Sequence, residues 1–316
     1  MAKPLGGKAM WTRKDMLGLN DLTKEEILQI LTLANEMKPI IDNRALSTNS
    51  LKDTSIVSLF YENSTRTKMS FALASKYLGA TFSDLGINTS SVAKGESLID
   101  TGVTLDQMGT DIIIMRHGMT GAPHILAKNV KASVVSGGDG TNEHPTQGLL
   151  DLFTIMESKK NFEGLKVAII GDIMHSRVAR SNIFGLTKLG AKVVLSGPTT
   201  LVSKGLEVLG AEVNNNVKAA VKDADVVMGL RVQLERQKGG MFPDLREYAQ
   251  LFGVDKKVLD LAKEDALLMH PGPVNRGVEL TSEIIDGKQS AINIQVKNGV
   301  AVRMALLTLL AQARKI

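Results

Sequence analysis

Short apolar runs alternate with stretches of helical periodicity along most of the chain, an alternation that predicts parallel strands joined by crossover helices. The clearest predicted strands are Ser55–Phe60, Asp111–Met115, Ala132–Val135, Lys166–Ile170, Lys192–Leu195, Val226–Met228 and Ala266–Met269. A helix is predicted over Thr23–Met37, because Thr23-Lys-Glu-Glu26 has the form of a capping box whose side chains satisfy free backbone N–H groups. Another comes after Ser64, with Met69, Ala72, Leu73 and Tyr77 on one face. Helix Gln147–Ser158, followed by the polar Lys159–Gly164, is the expected bridge between two sheets, and the last predicted helix, Val300–Arg314, is strongly apolar. At 316 residues the chain exceeds a typical single domain of ~100–200 residues, so the expected class is α/β with parallel sheets flanked by helices, in two domains or one large one, the bridge helix favouring two.

The segments leaving the predicted strands carry the chemistry. In open parallel sheets ligands sit at the carboxyl ends of strands. Here those positions hold Ser64-Thr-Arg-Thr67, Arg116-His117, His144-Pro-Thr-Gln147, Arg177, Arg231 and His270-Pro271. Ser64–Thr67 opens a helix, and free N–H groups, hydroxyls and one guanidinium make a compact phosphate cradle there. By itself the tetrapeptide reads equally well as a helix cap with an incidental arginine. A second arginine, Arg116, would clamp a dianion and polarise an adjacent carbonyl. His144 and Gln147 offer an imidazole and an amide to a carbonyl and an amide group. Arg231 and Gln233, two apart, point the same way in an extended segment and suit a carboxylate, although by spacing alone they read equally well as a mixed-charge surface segment. Arg177 and Arg180, near one strand exit, offer a carboxylate clamp.

Composition narrows the alternatives. Hydrophobic residues make up 43% and charged residues 22% of the chain, close to globular averages. Cysteine is absent, which excludes disulfides, thiolate catalysis and cysteine–zinc sites and fits a reducing cytoplasm. The net charge of +5 is mild and aromatics are only 4%, so nucleic-acid binding is not expected. No apolar stretch reaches the ~18 residues of a membrane span, and Met1–Met16 lacks the apolar core of a signal peptide. The histidines show no metal-ligand spacing and no acidic cluster accompanies them, so neither metal nor cofactor is expected. Gly171-Asp-Ile-Met-His-Ser-Arg177 comes after a strand but lacks the glycine fingerprint of a nicotinamide-cofactor site.

Together, Ser64-Thr-Arg-Thr-Lys-Met-Ser-Phe71, Lys94-Gly-Glu-Ser97, Arg116-His117, His144-Pro-Thr-Gln-Gly-Leu-Leu-Asp151, Gly171-Asp172 with Arg177, Arg231-Val-Gln233 and His270-Pro-Gly-Pro273 resemble the catalytic chains of the aspartate carbamoyltransferase family, in that family's order and over roughly residues 11–316. The resemblance implies transfer of the carbamoyl group of carbamoyl phosphate to the α-amino group of L-aspartate, in de novo pyrimidine biosynthesis. It implies a carbamoyl-phosphate domain over residues 1–145, an aspartate domain over 146–297, and a C-terminal helix (298–316) returning to the first domain. It further implies a cytoplasmic homotrimer with shared active sites, and is compatible with a dodecamer that includes separate regulatory or dihydroorotase chains.

By position, Ser64, Thr65, Arg66, Thr67 and Arg116 match the family's carbamoyl-phosphate ligands. His144 matches the contact to the carbamoyl carbonyl, and Gln147 the residue near its amide. Pro271 and Gly272 match the backbone carbonyls on the carbamoyl nitrogen. Ser90 and Lys94 match the pair donated by a neighbouring subunit. Lys94, Arg177, Arg231, Gln233, Gly272 and Pro273 match the aspartate site, and Glu62 and Arg236 the pair linking the domains on closure. Arg66, Thr67, Lys94, Arg116 and His144 are the expected catalytic set.

Two departures, Gly272-Pro-Val-Asn-Arg-Gly-Val-Glu279 where some relatives read Leu-Pro-Arg, and Ala93 in place of a second lysine, remove none of these residues. The nearest rival, an ornithine-directed enzyme, usually has a His-Cys-Leu-Pro loop and lacks the equivalent of Lys94, and an arginine facing ornithine's ammonium would repel it. A metabolite-binding homologue without activity is the alternative from another class.

Overall fold

The computed structural model describes residues 11–43, 48–87, 94–232 and 244–314. In chain order the first half runs α1 (Lys24–Asp42), β1 (Ser55–Phe60), α2 (Thr65–Leu78), β2 (Thr81–Leu85), α3 (Leu98–Gln107), β3 (Ile112–His117), α4 (Ala122–Asn129), β4 (Ser133–Asp139) and α5 (Pro145–Lys159). The second half runs β5 (Lys166–Ile170), α6 (Arg177–Lys188), β6 (Lys192–Ser196), a 3-10 turn, β7 (Glu212–Val213), α7 (Val217–Val221), β8 (Val226–Gly229), α8 (Leu245–Phe252), α9 (Lys256–Leu259), β9 (Leu267–Met269), α10 (Ser282–Ile285) and α11 (Ile292–Ala313).

Every predicted strand is present, within a few residues of its expected ends. The capping box forms as the sequence predicts: Thr23 Oγ1 accepts the Glu26 N–H at 3.2 Å and a Glu26 carboxylate oxygen accepts the Thr23 N–H at 2.7 Å. Two strands carried no signal. β2 is an edge strand with little burial, so no apolar alternation marks it, and β7 is two residues long. The last helix begins at Ile292 rather than Val300, because its first turns are polar.

All strand pairs in both sheets are parallel, in the orders β2-β1-β3-β4 and β7-β6-β5-β8-β9. Each order reverses direction once, between β1 and β3 in the first sheet and between β5 and β8 in the second. A crevice opens at such a reversal because the two crossover helices leave on opposite faces. Ser64 and the first turn of α2 (Thr65–Thr67) come after β1 and Arg116 stands at the end of β3, while Arg177 opens α6 after β5 and Arg231 comes just after β8. Both switch points therefore deliver arginine.

α5 and α11 form the seam. Pro145 through Ile155 are buried without a break, and α5 packs against α11 on one side and α6 on the other. α11 also lies along α1 and α2. It is the one described helix long and apolar enough to cross a bilayer, yet 83% of its apolar window is buried inside the protein. Leu306, Leu307 and Leu310 are fully buried, each contributing roughly 1.5–3 kcal/mol relative to exposure.

Candidate active site

α2 starts at the carboxyl end of β1, so Thr65, Arg66 and Thr67 occupy its first turn, and Ser64 caps it without a side-chain hydrogen bond. Thr67 is buried, with Oγ1 3.5 Å from His144 Nε2. His144 itself precedes α5, held by its backbone N–H donating to Ser181 Oγ at 3.0 Å. Its imidazole is held well below the usual histidine range by burial and by Arg116, Arg177 and Arg303 nearby. A neutral ring here donates one N–H and stays in that state at neutral pH.

Arg116 and Arg177 converge on one backbone position. Arg116 Nη1 donates to the Gly137 carbonyl at 3.0 Å, and Arg177 Nη1 to the Gly140 carbonyl at 3.2 Å. Between them Gly138 has φ +134°, and a Cβ there would lie 2.9 Å from Arg177 Cζ and 3.1 Å from Arg116 Nη1. Only glycine fits beneath the two guanidinium groups. Glu62, from the β1 exit, lies against both: Oε2 is 2.7 Å from Arg177 Nη2 and 3.4 Å from Arg116 Nε. This ion pair joins the two sheets' loops through Arg177. The partner expected for Glu62, Arg236, lies outside the described residues, as do Gln233 and Ser90.

Arg66 and Arg231 form the other side. The Arg66 guanidinium packs over Gly272, whose φ is +68° and where a Cβ would come within 3.2 Å of Arg66 Cζ. Partial burial and then the charge of Arg231 press the Arg66 guanidinium below its ordinary range. His270 is buried and also shifted down, chiefly by burial, with Arg66 and Arg231 adding to the effect against Glu279. Thus Arg66, Thr67, Arg116, His144, Arg177, Arg231 and Gly272 share one site. Four guanidinium groups gathered in one site, two of them already paired with Glu62, suit a phosphate and carboxylates. Pro271 is half-buried and Pro273 exposed beside them. Lys94, ahead of α3, is exposed and makes no hydrogen bond with Thr67, Arg116 or His144 of its own chain.

Sequence reasoning missed the buried polar groups behind the site: Asp151, Asn182, Gln295, Glu279 and Arg303. Two signals were present. Asp151 stands four residues after Gln147, on the same helical face, and Arg303 is the one charge in the stretch Val300–Ala313. Among the described residues no group of three or more His, Asp or Glu side chains could hold a metal ion.

The chain matches the family models for the carbamoyl-phosphate-binding domain of aspartate/ornithine carbamoyltransferases over residues 14–157 and for their aspartate/ornithine-binding domain over 163–310. It is 63% identical over 299 residues to the aspartate carbamoyltransferase catalytic subunit of Ruminiclostridium cellulolyticum, spanning 95% of this chain and 96% of that one. The corresponding subunit of Acetivibrio thermocellus is 62% identical over the same length, with the same coverage. Among solved structures, aspartate transcarbamoylase from Trypanosoma cruzi in complex with carbamoyl aspartate and phosphate superposes with a TM-score of 0.85 at 28% identity, covering 94% of this chain and 96% of that one. Ornithine carbamoyltransferase from Pyrococcus furiosus superposes equally well, 0.85 at 29% identity, covering 95% and 98%. The backbone is therefore common to both acceptor branches, and the two subunits at 62–63% identity are aspartate carbamoyltransferase catalytic subunits. With the arginines gathered at two switch points and both halves matched in order, the chain belongs to the aspartate/ornithine carbamoyltransferase family, among its aspartate carbamoyltransferase catalytic subunits.

Proposed function

We propose that this site transfers the carbamoyl group of carbamoyl phosphate to the α-amino group of L-aspartate, giving N-carbamoyl-L-aspartate and phosphate for pyrimidine biosynthesis. The observation that carries it is the convergence of Arg66, Arg116, Arg177 and Arg231 around Thr67 and a neutral His144. Carbamoyl phosphate brings its own leaving group, so no covalent enzyme intermediate is needed. The neutral amine attacks the carbonyl carbon, negative charge develops on the carbonyl oxygen, and collapse expels phosphate, which takes up the amine proton.

Each group has a place in this scheme. Ser64, Thr65, Arg66 and Thr67 hold the phosphate at the start of α2, where the helix dipole adds about half a positive charge. Thr67, Arg116 and His144 stabilise the developing oxyanion, and donors of this kind contribute roughly 3–4 kcal/mol each. Gln147 and the carbonyls of Pro271 and Gly272 take the carbamoyl N–H groups. Arg177, Arg231 and Gln233 take the two carboxylates of aspartate, with Pro273 beside them. Because Arg177 pairs with Glu62 in this structure, aspartate competes with Glu62 for it, and the exchange is a means of coupling acceptor binding to movement of the domains. Glu62 and Arg236 then hold the closed form.

The test is steady-state turnover with carbamoyl phosphate and either aspartate or ornithine. Phosphate and carbamoyl aspartate are expected with aspartate alone. Turnover with ornithine would shift the acceptor assignment, and turnover with neither would favour a binding protein.

A homotrimer with shared sites, in the cytoplasm, belongs to the same proposal. Its support is the family match and the exposed position of Lys94, which with Ser90 would enter a neighbour's site. Lys94→Ala and Arg66→Ala trimers are each expected to be nearly inactive. Subunit exchange between them restores activity, because some hybrid sites contain both native residues. Mixed trimers that stay inactive after verified exchange would remove the sharing. Assembly into a dodecamer with regulatory or dihydroorotase chains is compatible with this arrangement and is read from a solution mass of the mixture.

A further inference from the structure

Behind Gln147 lies a buried polar cluster that takes no part in the scheme above. Asp151 stands one turn further along α5 and is fully buried. Its Oδ1 accepts from Gln147 Nε2 at 2.9 Å and from Gln295 Nε2 at 2.7 Å, and its Oδ2 accepts from Asn182 Nδ2 at 2.8 Å. An ionised carboxylate has no proton to give, so every amide facing it must present its NH2 end. That fixes the Gln147 amide: the nitrogen points back to Asp151, leaving Oε1 at the other end as an acceptor.

Gln295 extends the constraint to the loop after β9. Its Oε1 accepts the His270 backbone N–H at 2.9 Å. The Gly272 N–H in turn donates to His270 Nδ1 at 2.8 Å. Pro271 and Pro273 have no N–H at all. Every backbone donor of residues 270–273 is thus either missing or turned into the protein, so the loop presents acceptors only.

We infer that Asp151 is a specificity-determining positioning residue, which by orienting Gln147 directly and the 270–273 loop through Gln295 makes the surroundings of the transferred acyl group accept hydrogen bonds and not donate them. Such a site selects an acyl group bearing N–H over its methyl isostere, carbamoyl over acetyl. A methyl group there would leave buried acceptors unpaired, which is the costly case. The inference rests on the carbamoyl-transfer reading.

The experiment measures, by calorimetry on the full chain, the affinities of phosphonoacetamide and 2-oxopropylphosphonate, non-hydrolysable counterparts of carbamoyl and acetyl phosphate that differ by NH2 against CH3. Wild type is expected to prefer the amide. In Asp151→Asn the new side chain can donate, the Gln147 amide is free to turn over, and amide affinity drops about tenfold while the ketone changes by less than about twofold. Gln147→Met reduces the preference likewise, and the double variant falls short of the product of the two single effects, because one residue acts through the other. A loss shared equally by both ligands would mark Asp151 as merely structural, and an unchanged preference, or fully multiplicative effects, would also overturn the assignment. Should Asp151→Asn fail to fold, Asp151→Asn/Arg303→Met removes both buried charges and carries the same expectation. Wild type that binds neither ligand and turns over neither acceptor defeats the carbamoyl-transfer reading itself, an outcome distinct from binding without an altered preference.

Discussion

Arg116→Ala is expected to lower kcat about 10²–10³-fold, the range for removing one preorganised oxyanion donor. Arg116 sits at the exit of β3, on one side of the first sheet's switch point, with Thr67 on the other. Its guanidinium is held by the Gly137 carbonyl and by Glu62, so it points into the site before substrate arrives and needs little reorganisation in the transition state. The fold should survive the substitution, because Glu62 keeps Arg177 as its partner and is not left as a lone charge. Arg116→Lys should recover little, since a single ammonium cannot reproduce the planar fork that reaches carbonyl, carboxylate and substrate together. Steady-state kinetics with saturating aspartate, beside a thermal unfolding curve, check both parts. A kcat within about threefold of wild type would remove Arg116 from the oxyanion site assigned by analogy with measured donors.

The parts of this design that were legible in the sequence are those written locally. Strands such as Ser55–Phe60 and Lys166–Ile170 appear because a strand covered on both faces is a continuous apolar run bounded by polar turns. Thr23 and Glu26 announce a helix start because a capping box is a four-residue device. Arg66, Arg116, Arg177 and Arg231 stood out by their places after strands, which is where the parallel-sheet rule puts ligands. Their convergence was not local. It depends on the order of strands in two sheets, and on Gly138 making room for Arg116 and Arg177 at once.

The pairing of Arg177 with Glu62 escaped the sequence for the same reason. The two are 115 positions apart, and nothing in either neighbourhood names the other. Burial of polar groups was the larger omission. A carboxylate on α5 and an arginine on α11 read as ordinary helix residues until the helices are laid together. The edge strand β2 went unseen on opposite grounds: with most of its residues exposed, it lacks the apolar signature that burial imposes.

Arg303→Met is expected to destabilise the protein by roughly 3–5 kcal/mol, because it removes three buried hydrogen bonds and leaves the buried Asp151 carboxylate without its compensating charge. Arg303 is buried between α11 and α2, donating to Ser70 Oγ at 2.9 Å, Thr146 Oγ1 at 3.2 Å and the Gly299 carbonyl at 3.0 Å, with its guanidinium 4.9 Å from the Phe71 ring centre. Burial lowers it to about 10 and the Asp151 charge works against that shift. Asp151 is raised from 3.8 to about 6, mainly by burial, although Asn182, Gln295, Gln147 and Arg303 all favour its ionised form. The folded state therefore holds this proton more tightly than the unfolded chain. Between about pH 4 and pH 6 the unfolded state binds fewer protons at this group, so its contribution to stability falls as pH rises and is constant above. Without Arg303 the carboxyl moves further up, and the falling window extends toward neutrality. The deficit of Arg303→Met relative to wild type should thus be largest near pH 8 and shrink by pH 5.5. Arg303→Met/Asp151→Asn, which leaves neither charge buried, should regain most of the loss. Urea unfolding midpoints at the two pH values measure all of this, and a deficit that is the same at both would mean that Asp151 does not feel the charge of Arg303.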